Sequence, residues 1–279
     1  MEKYCDLHVH SHYSDGTCSP QDLIRLAEQA GLTAVALCDH NTIDGVPEFL
    51  KAGEASSVEA VPGIEFSTDY EGVELHILAL YVPESHYENI REQMQEQKRR
   101  KDRSNVELVK ALNAAGYAID YETLRASTPN GFVNRALVAA ELTRKGYTQS
   151  IQDAFRQLLS AKHGYYHPPQ RPDAYETIRF IKEMGSVAVL AHPFLNLDEA
   201  GLRRFLPEAV ACGLDAMEVL YPKYDEDTTA LAKAIATEYG LLPSGGSDFH
   251  GENKPDIQIG IGRGNLKIPA SYLDALKIK

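Results

Sequence analysis

The sequence predicts an α/β protein, a mostly parallel sheet or barrel interrupted by a helical insertion. Three observations carry that expectation. Short, almost wholly apolar runs such as TAVALCDH and SVAVLAH read as strands buried on both faces. Amphipathic stretches separate them at the spacing of βα units. One long segment, with REQMQEQKRRKDRSN at its centre, loses every strand signal and turns polar, charged and helical.

Taken in order, YCDLHVH opens as a strand. In SPQDLIRLAEQAG, Ser19 suits an N-cap, Pro20 the first helical position and Asp22 the reciprocal capping position. Leu23, Ile24, Leu26, Ala27 and Ala30 supply the apolar face, and Gly31 stops the helix. TAVALCDH is the next strand, a second helix follows Asp44, and VEAVPGIEFST and VELHILALYV are two more strands. Helical patterns then run through VNRALVAAELTRKG and SIQDAFRQLLSAKHG. Strand and helix alternate again through SVAVLAH, a helix near 198–212, DAMEVLY, a helix near 225–239, and LLPSGGSDFHG. The expected division is a barrel from 1–84 and 166–279, with 85–165 as a helical insertion that caps the substrate.

With 279 residues the chain can bury a large core without staples. The 28 basic and 40 acidic residues leave a net charge of −12, which argues against broad binding to duplex nucleic acid or anionic membranes. A phosphorylated substrate stays compatible, because bound cations reverse a local field. Cys5, Cys18, Cys38 and Cys212 form no CxxC pair and suit a reducing compartment. The opening MEKYCDLHVHSHYSDG has no apolar signal region, and no apolar run is long enough to span a bilayer. The expectation is a cytoplasmic protein; no oligomeric state follows.

The ten histidines are informative by position. His8 and His10, two apart on a strand, share one face. His40 and His192 end apolar runs, Glu65 and His76 lie within strand-like runs, and Asp248 and His250 follow LLPSGGS. Each alone has an ordinary reading: a histidine that caps a strand or faces water, a carboxylate on an edge. Together they are harder to explain, because each buried polar group without a partner costs roughly 1–3 kcal/mol. In parallel α/β barrels catalytic groups gather at one end of the strands. Imidazole and carboxylate are also the ligand set of Zn²⁺, Mn²⁺ and Fe²⁺. A metal cluster is the economical reading.

The ordered motifs DLHVHS, SDGTCSPQDLIRLAEQAGL, DHN, GIE, AHP and GSDFHG resemble those of the polymerase and histidinol phosphatase (PHP) superfamily. More narrowly they resemble its stand-alone phosphoesterases, which include nucleoside 3′,5′-bisphosphate phosphatases and a 5′→3′ exoribonuclease. The resemblance implies a distorted (β/α)7 barrel holding two or three divalent ions, Mn, Fe or Zn. By position, one ion takes His8, His10, Glu65 and Asp248. A second takes His76 and His192, with Glu65 bridging, and a third takes Asp15, His40 and His250. Asp15 stands where histidinol phosphatases of this pattern use His. Two departures concern non-ligands: Asn41 follows DH where a second Asp is usual, and Cys38 replaces a more usual Thr. His12 falls outside the ligand pattern, and Asp39 is expected to orient a neighbouring ligand.

The implied activity is metal-dependent hydrolysis of a small phosphorylated metabolite, a nucleotide such as a nucleoside 3′,5′-bisphosphate or a short oligonucleotide. Glu65 and His192 are the expected catalytic residues, acting with hydroxide bridged between metals. Arg103 and Arg135 are candidates for a second phosphate, since Arg grips phosphate in a fork. A charged run such as KRRKDR also reads as a solvated helix face. His167, with Tyr165 and Tyr166, either stacks a base or belongs to a structural aromatic cluster. The competing readings are a histidinol-phosphate phosphatase, a non-catalytic metal-binding module and a metal-dependent amidohydrolase. The last commonly needs a bridging Lys where this chain offers Glu65.

Overall fold

The structure, a computed structural model, describes residues 3–128 and 133–277. In chain order the elements are β1 (Tyr4–Val9), α1 (Pro20–Gln29), β2 (Ala34–Leu37), α2 (Val46–Gly53), β3 (Glu59–Tyr70) and β4 (Val73–Leu80). Then come α3 (Tyr87–Ala114), α4 (Tyr121–Ala126), α5 (Arg135–Arg144), α6 (Ile151–Ala154) and α7 (Ala174–Glu183). The chain ends through β5 (Val187–Leu190), α8 (Glu199–Ala211), β6 (Ala216–Leu220), α9 (Glu226–Glu238), β7 (Leu242–Gly245), β8 (Ile268–Pro269) and α10 (Ala270–Leu276). Two compact units result, Met1–Arg91 with Arg171–Lys279, and Glu92–Gln170. No helix among the described residues is long and apolar enough to cross a membrane.

The first unit is a nearly closed barrel with strand order β7-β6-β5-β4-β3-β2-β1-β8. β1, β2 and β3 pair in parallel, as do β5, β6 and β7. Beyond β7 the chain bonds to β1, with Asp248 N–H donating to His8 O at 2.8 Å and His10 N–H to Phe249 O at 2.9 Å, which draws the ring together. β4 departs from a pure βα alternation, because it runs antiparallel to both β3 and β5. The reason is local. Tyr70 pairs with Val73 across the two residues Glu71 and Gly72, whose φ values of 51° and 82° match the reversed turn that joins twisted antiparallel strands.

Small and branched side chains fill the barrel, among them Leu7, Ala36, Val61, Leu78, Val189 and Ala216. The expected cap on α1 forms: Ser19 Oγ accepts from Asp22 N–H at 3.1 Å, and Leu23, Ile24 and Ala27 are buried. Ala30 ends that helix on the exposed side instead of extending its apolar face.

A bulge in β1 decides where the first histidines point. Cys5 pairs with Ala34 and Asp6 with Val35, but Val9 pairs with Leu37, so β1 carries one residue more than β2 over that stretch. One extra residue inverts the alternation of side chains. Cys5 and Leu7 therefore enter the core, while His8 and His10 turn to the barrel mouth. Asp6, fully buried at the bulge, accepts from the N–H groups of His8 at 3.3 Å, Ser247 at 2.9 Å and Gly260 at 2.7 Å. Burial pushes its carboxyl up despite these bonds.

The second unit is helical and has its own core, which includes Leu108, Leu112, Val138, Leu142, Leu159 and Tyr166. Its helices are capped by short polar side chains. Asp120 caps α4, Asn134 caps α5 and Ser150 caps α6. A wide turn over Phe155–Leu159 continues α6.

Replacing Asp6 by Ala leaves three buried N–H groups without an acceptor, and the expected loss is about 2–4 kcal/mol. Denaturant unfolding of the Asp6→Ala protein measures it. Asp6→Asn, which keeps one acceptor oxygen, is expected to lose less.

Candidate metal centre

The mouth of the barrel gathers the polar residues of the apolar runs. His8 lies near the end of β1 and His10 just beyond it. Beyond β2, His40 bridges to Glu65 of β3, where Asn41 N–H donates to Glu65 O at 2.9 Å and Glu65 N–H to Asp39 O at 3.2 Å. On the hairpin, His76 pairs with Ser67 and Leu78 with Glu65, so Glu65 and His76 are diagonal neighbours on one face. Because β4 is antiparallel, His76 reaches this rim near the start of its strand, not near its end. His192 and Asp248 follow β5 and β7 in left-handed backbone, with φ of 27° and 54°. Such conformations in non-glycine residues cost about 1–3 kcal/mol each and persist where the surroundings over-determine them.

Glu65 is the hub and is fully buried. Its Oε2 lies 3.2 Å from His8 Nε2, 3.3 Å from His10 Nε2 and 2.9 Å from His40 Nδ1. Its Oε1 lies 2.8 Å from His76 Nδ1 and 3.1 Å from His192 Nε2. Asp248 Oδ1 sits 3.2 Å from His10 Nε2 and 3.4 Å from His250 Nδ1. Asp15, 56% exposed at the lip, lies 3.2 Å from His250 Nε2 and 3.8 Å from both His10 Nδ1 and His40 Nε2. All nine expected ligands therefore meet in one region.

Three overlapping sets offer donor atoms close enough to share an ion: His10, Asp15, His40 and His250; His8, His10 and Glu65; and His40, Glu65 and His76. His10, His40 and Glu65 each belong to two of these sets.

The residues fit cations by their unmet bonds. Glu65 Oε2, His10 Nδ1 and His40 Nδ1 are buried with no hydrogen bond. His8 Nε2 and His10 Nε2 converge to 3.0 Å, both aimed at the same place. Burial would raise the Glu65 carboxyl, but the imidazoles of His40, His8 and His76 outweigh it and hold the group well below the usual range. Burial lowers His10 to about 3, which keeps its ring neutral and able to donate a lone pair. His76 moves the other way, to about 10, because Glu65 and Glu74 overcome its burial.

Around the cluster stand residues that the sequence reading missed or placed differently. Tyr221 OH and Lys254 Nζ donate to Asp248 Oδ2 at 2.8 and 2.7 Å and leave Oδ1 to face the imidazoles. Glu218, buried within β6, accepts from His8 Nδ1 at 3.0 Å and from His192 N–H at 2.7 Å. Its only signal in sequence was one acid inside the apolar run DAMEVLY. Asp39 turns its carboxylate to the first loop. It accepts from Ser11 N–H at 2.8 Å and from the hydroxyls of Ser11 and Ser14 at 2.6 Å, so it braces the loop that carries Asp15. Asn41 bonds to Ser67 through both ends of its amide, and Cys38 packs in the core with its thiol on Leu7 O at 3.6 Å. His12 is exposed and stacks on Tyr13.

The remaining candidates lie in the second unit. The Arg103 guanidinium is 68% exposed and pairs with Glu96 at 3.1 Å. Arg135 sits over the Tyr166 ring at 4.2 Å and the Phe155 ring at 5.6 Å, and donates to Leu159 O at 3.4 Å. The His167 side chain is exposed, and its carbonyl accepts from Ser104 Oγ. Tyr166 is buried in the helical core, the structural alternative of the two weighed for it.

The family model of the PHP domain matches residues 6–166. A 5′-3′ exoribonuclease of Haemophilus influenzae is 32% identical over 251 residues, covering 90% of this chain and 91% of that protein. A phosphoribosyl 1,2-cyclic phosphate 1,2-diphosphodiesterase of Eggerthella lenta is also 32% identical over 251 residues, covering 88% and 94%. A crystal structure from Bifidobacterium adolescentis, described as a proposed metal-dependent phosphoesterase, superposes with a TM-score of 0.76 at 28% identity, covering 99% of this chain and 96% of that one.

Glu65→Gln removes the one charge that both halves of the cluster share. Elemental analysis of the purified variant is expected to show most of the divalent metal gone. Affinity should fall by more than the roughly 100-fold that loss of an outer partner costs, with the far-ultraviolet circular dichroism of the wild type retained.

Proposed function

The chain belongs to the PHP domain family and is a metal-dependent hydrolase of phosphoesters; from that premise we propose that its substrate is a nucleotide, such as a nucleoside 3′,5′-bisphosphate, or a short oligonucleotide. The observation that carries the chemistry is the buried carboxylate of Glu65, whose two oxygens face two different sets of imidazoles. The choice of substrate is supported by the likeness to the exoribonuclease and by Asp15 at the lip, beside His250.

When bound, divalent ions supply positive charge to the phosphoryl oxygens and make water more acidic. The protein's own groups do the rest. Glu65 ties the sets together, and Asp248 is aimed at the cluster by Tyr221 and Lys254. Water is the nucleophile. The buried Cys38 thiol is pushed well above its usual range by burial and by the negative charge of Glu65 and Glu218, so it supplies no thiolate. His192, with Nε2 3.1 Å from Glu65 Oε1, would act as the acid in place of serving as a ligand: its protonated ring gives the departing oxygen a proton and regains one from the attacking water.

Two measurements test this reading. With Mn²⁺ added, release of phosphate or mononucleotide from adenosine 3′,5′-bisphosphate or a short 5′-phosphorylated RNA is expected at kcat/KM about tenfold or more above histidinol phosphate. Turnover confined to histidinol phosphate, or to phosphoribosyl 1,2-cyclic phosphate, rejects the substrate assignment.

The second concerns the proton. His192→Gln is expected to lose about 100-fold or more on ribose phosphoesters, and far less on p-nitrophenyl phosphate, whose leaving group needs no proton. Equal losses on both would leave His192 a ligand only.

A further inference from the structure

Glu218 has no place in the reaction described above, yet it is as deeply buried as Glu65. Among the described ion pairs its partner is His8 and no Lys or Arg. A buried carboxylate without a cationic partner costs several kcal/mol unless its oxygens are fully used. Both are used. Oε1 faces His8 Nδ1 at 3.0 Å, and Oε2 accepts the N–H of His192 at 2.7 Å. The first bond determines which nitrogen of His8 keeps the proton. With Nδ1–H donated to Glu218, Nε2 presents a lone pair toward Glu65 and His10. The second bond holds the backbone of His192, whose φ of 27° and ψ of 54° fall short of the ordinary left-handed region.

The register of β6 places Glu218 for this. Glu218 pairs with Ser244 but Leu220 with Gly245, so an irregularity follows the acid directly. Glu218 has the same parity as Ala216, which packs in the barrel core. It therefore looks inward at the last regular pairing of β6 before the irregularity.

We propose that Glu218 is a positioning residue for the metal centre: one carboxylate sets the His8 tautomer and pins the His192 backbone, so that candidate ligands from β1 and from the end of β5 are oriented together. The proposal rests on the metal-dependent reading and adds to it a residue that touches neither metal nor substrate.

Glu218→Gln is the decisive variant, since it keeps the shape. Its amide has one acceptor oxygen, so it satisfies His8 Nδ1–H or His192 N–H but not both. An NH₂ turned to His8 would favour the tautomer with hydrogen on Nε2, which cannot ligate. Mn²⁺ titration by calorimetry is expected to show affinity reduced about 10–100-fold, while the chelator-treated variant melts close to the chelator-treated wild type. Wild-type Mn²⁺ affinity in Glu218→Gln overturns the proposal. So does a drop in chelator-treated melting with affinity unchanged, which marks a folding role alone. A wild type that binds no Mn²⁺ removes the metal reading and this inference with it. ¹⁵N spectra of histidine side chains in the Zn²⁺-loaded wild type give a second readout that needs no variant. His8 with its proton on Nδ1 and none on Nε2 is the expected form, and a proton on Nε2 alone overturns the assignment.

Discussion

Burying an ionised carboxylate away from water costs several kcal/mol unless opposite charge and donors surround it. Glu65 is fully buried, and the barrel mouth is arranged around that requirement. Five imidazoles from four stretches of the chain reach its two oxygens within 3.3 Å. Those imidazoles in turn crowd one another. His10 lies 4.6 Å from His40 between ring centres, so positive charge on one ring opposes it on the other. Cations resolve both demands at once. They neutralise the carboxylates and let the rings stay neutral as lone-pair donors. The same divalent charge then serves a phosphoester, so the solution to a burial problem is also the source of the chemistry.

The barrel delivers these groups through departures from regularity. A plain eight-fold alternation would put the inward residues of β1 at Cys5, Leu7 and Val9 and turn the histidines outward. The bulge after Asp6 reverses that. A plain βα unit would bring only the end of β3 to the mouth. The tight hairpin at Glu71 and Gly72 returns β4 alongside and adds His76 to the same face as Glu65. Left-handed residues at His192 and Asp248 turn side chains that strict alternation would send elsewhere. The bulge and the left-handed turn at His192 sit beside candidate ligands, and a buried acid holds each, Asp6 at the first and Glu218 at the second.

Much of this was legible in the sequence because polar residues ending apolar runs are conspicuous. His40 and His192 stand out against TAVALCDH and SVAVLAH, and α1 was announced by Ser19 and Pro20. The helical character of the segment before SVAVLAH was equally plain. The antiparallel turn of β4 was not, because Glu-Gly between two strands is a weaker hairpin signal than Asn-Gly or Asp-Gly. Glu218 was hidden for a different reason. One acid in a strand looks like an exposed edge until the strand's neighbours are known. Arg135 shows the limit most clearly: the ring of Tyr166 that its guanidinium covers is distant in sequence, so no local pattern announced that contact.

The two outer carboxylates show how stability and function are coupled here. Asp6 and Glu218 are both buried acids that accept backbone N–H groups next to a candidate ligand, but they act on opposite sides of the problem. Asp6 closes the ring, joining β1 to Ser247 and Gly260, so its bonds hold whether or not ions are present. Glu218 gains nothing for closure; its bonds reach one ring nitrogen and one strained backbone at the mouth. A barrel that needed only to fold would place an apolar residue at that point of β6, as it does at Ala216. Keeping an acid there is reasonable where the orientation of His8 and His192 is worth its burial, and that orientation serves whatever is bound between them.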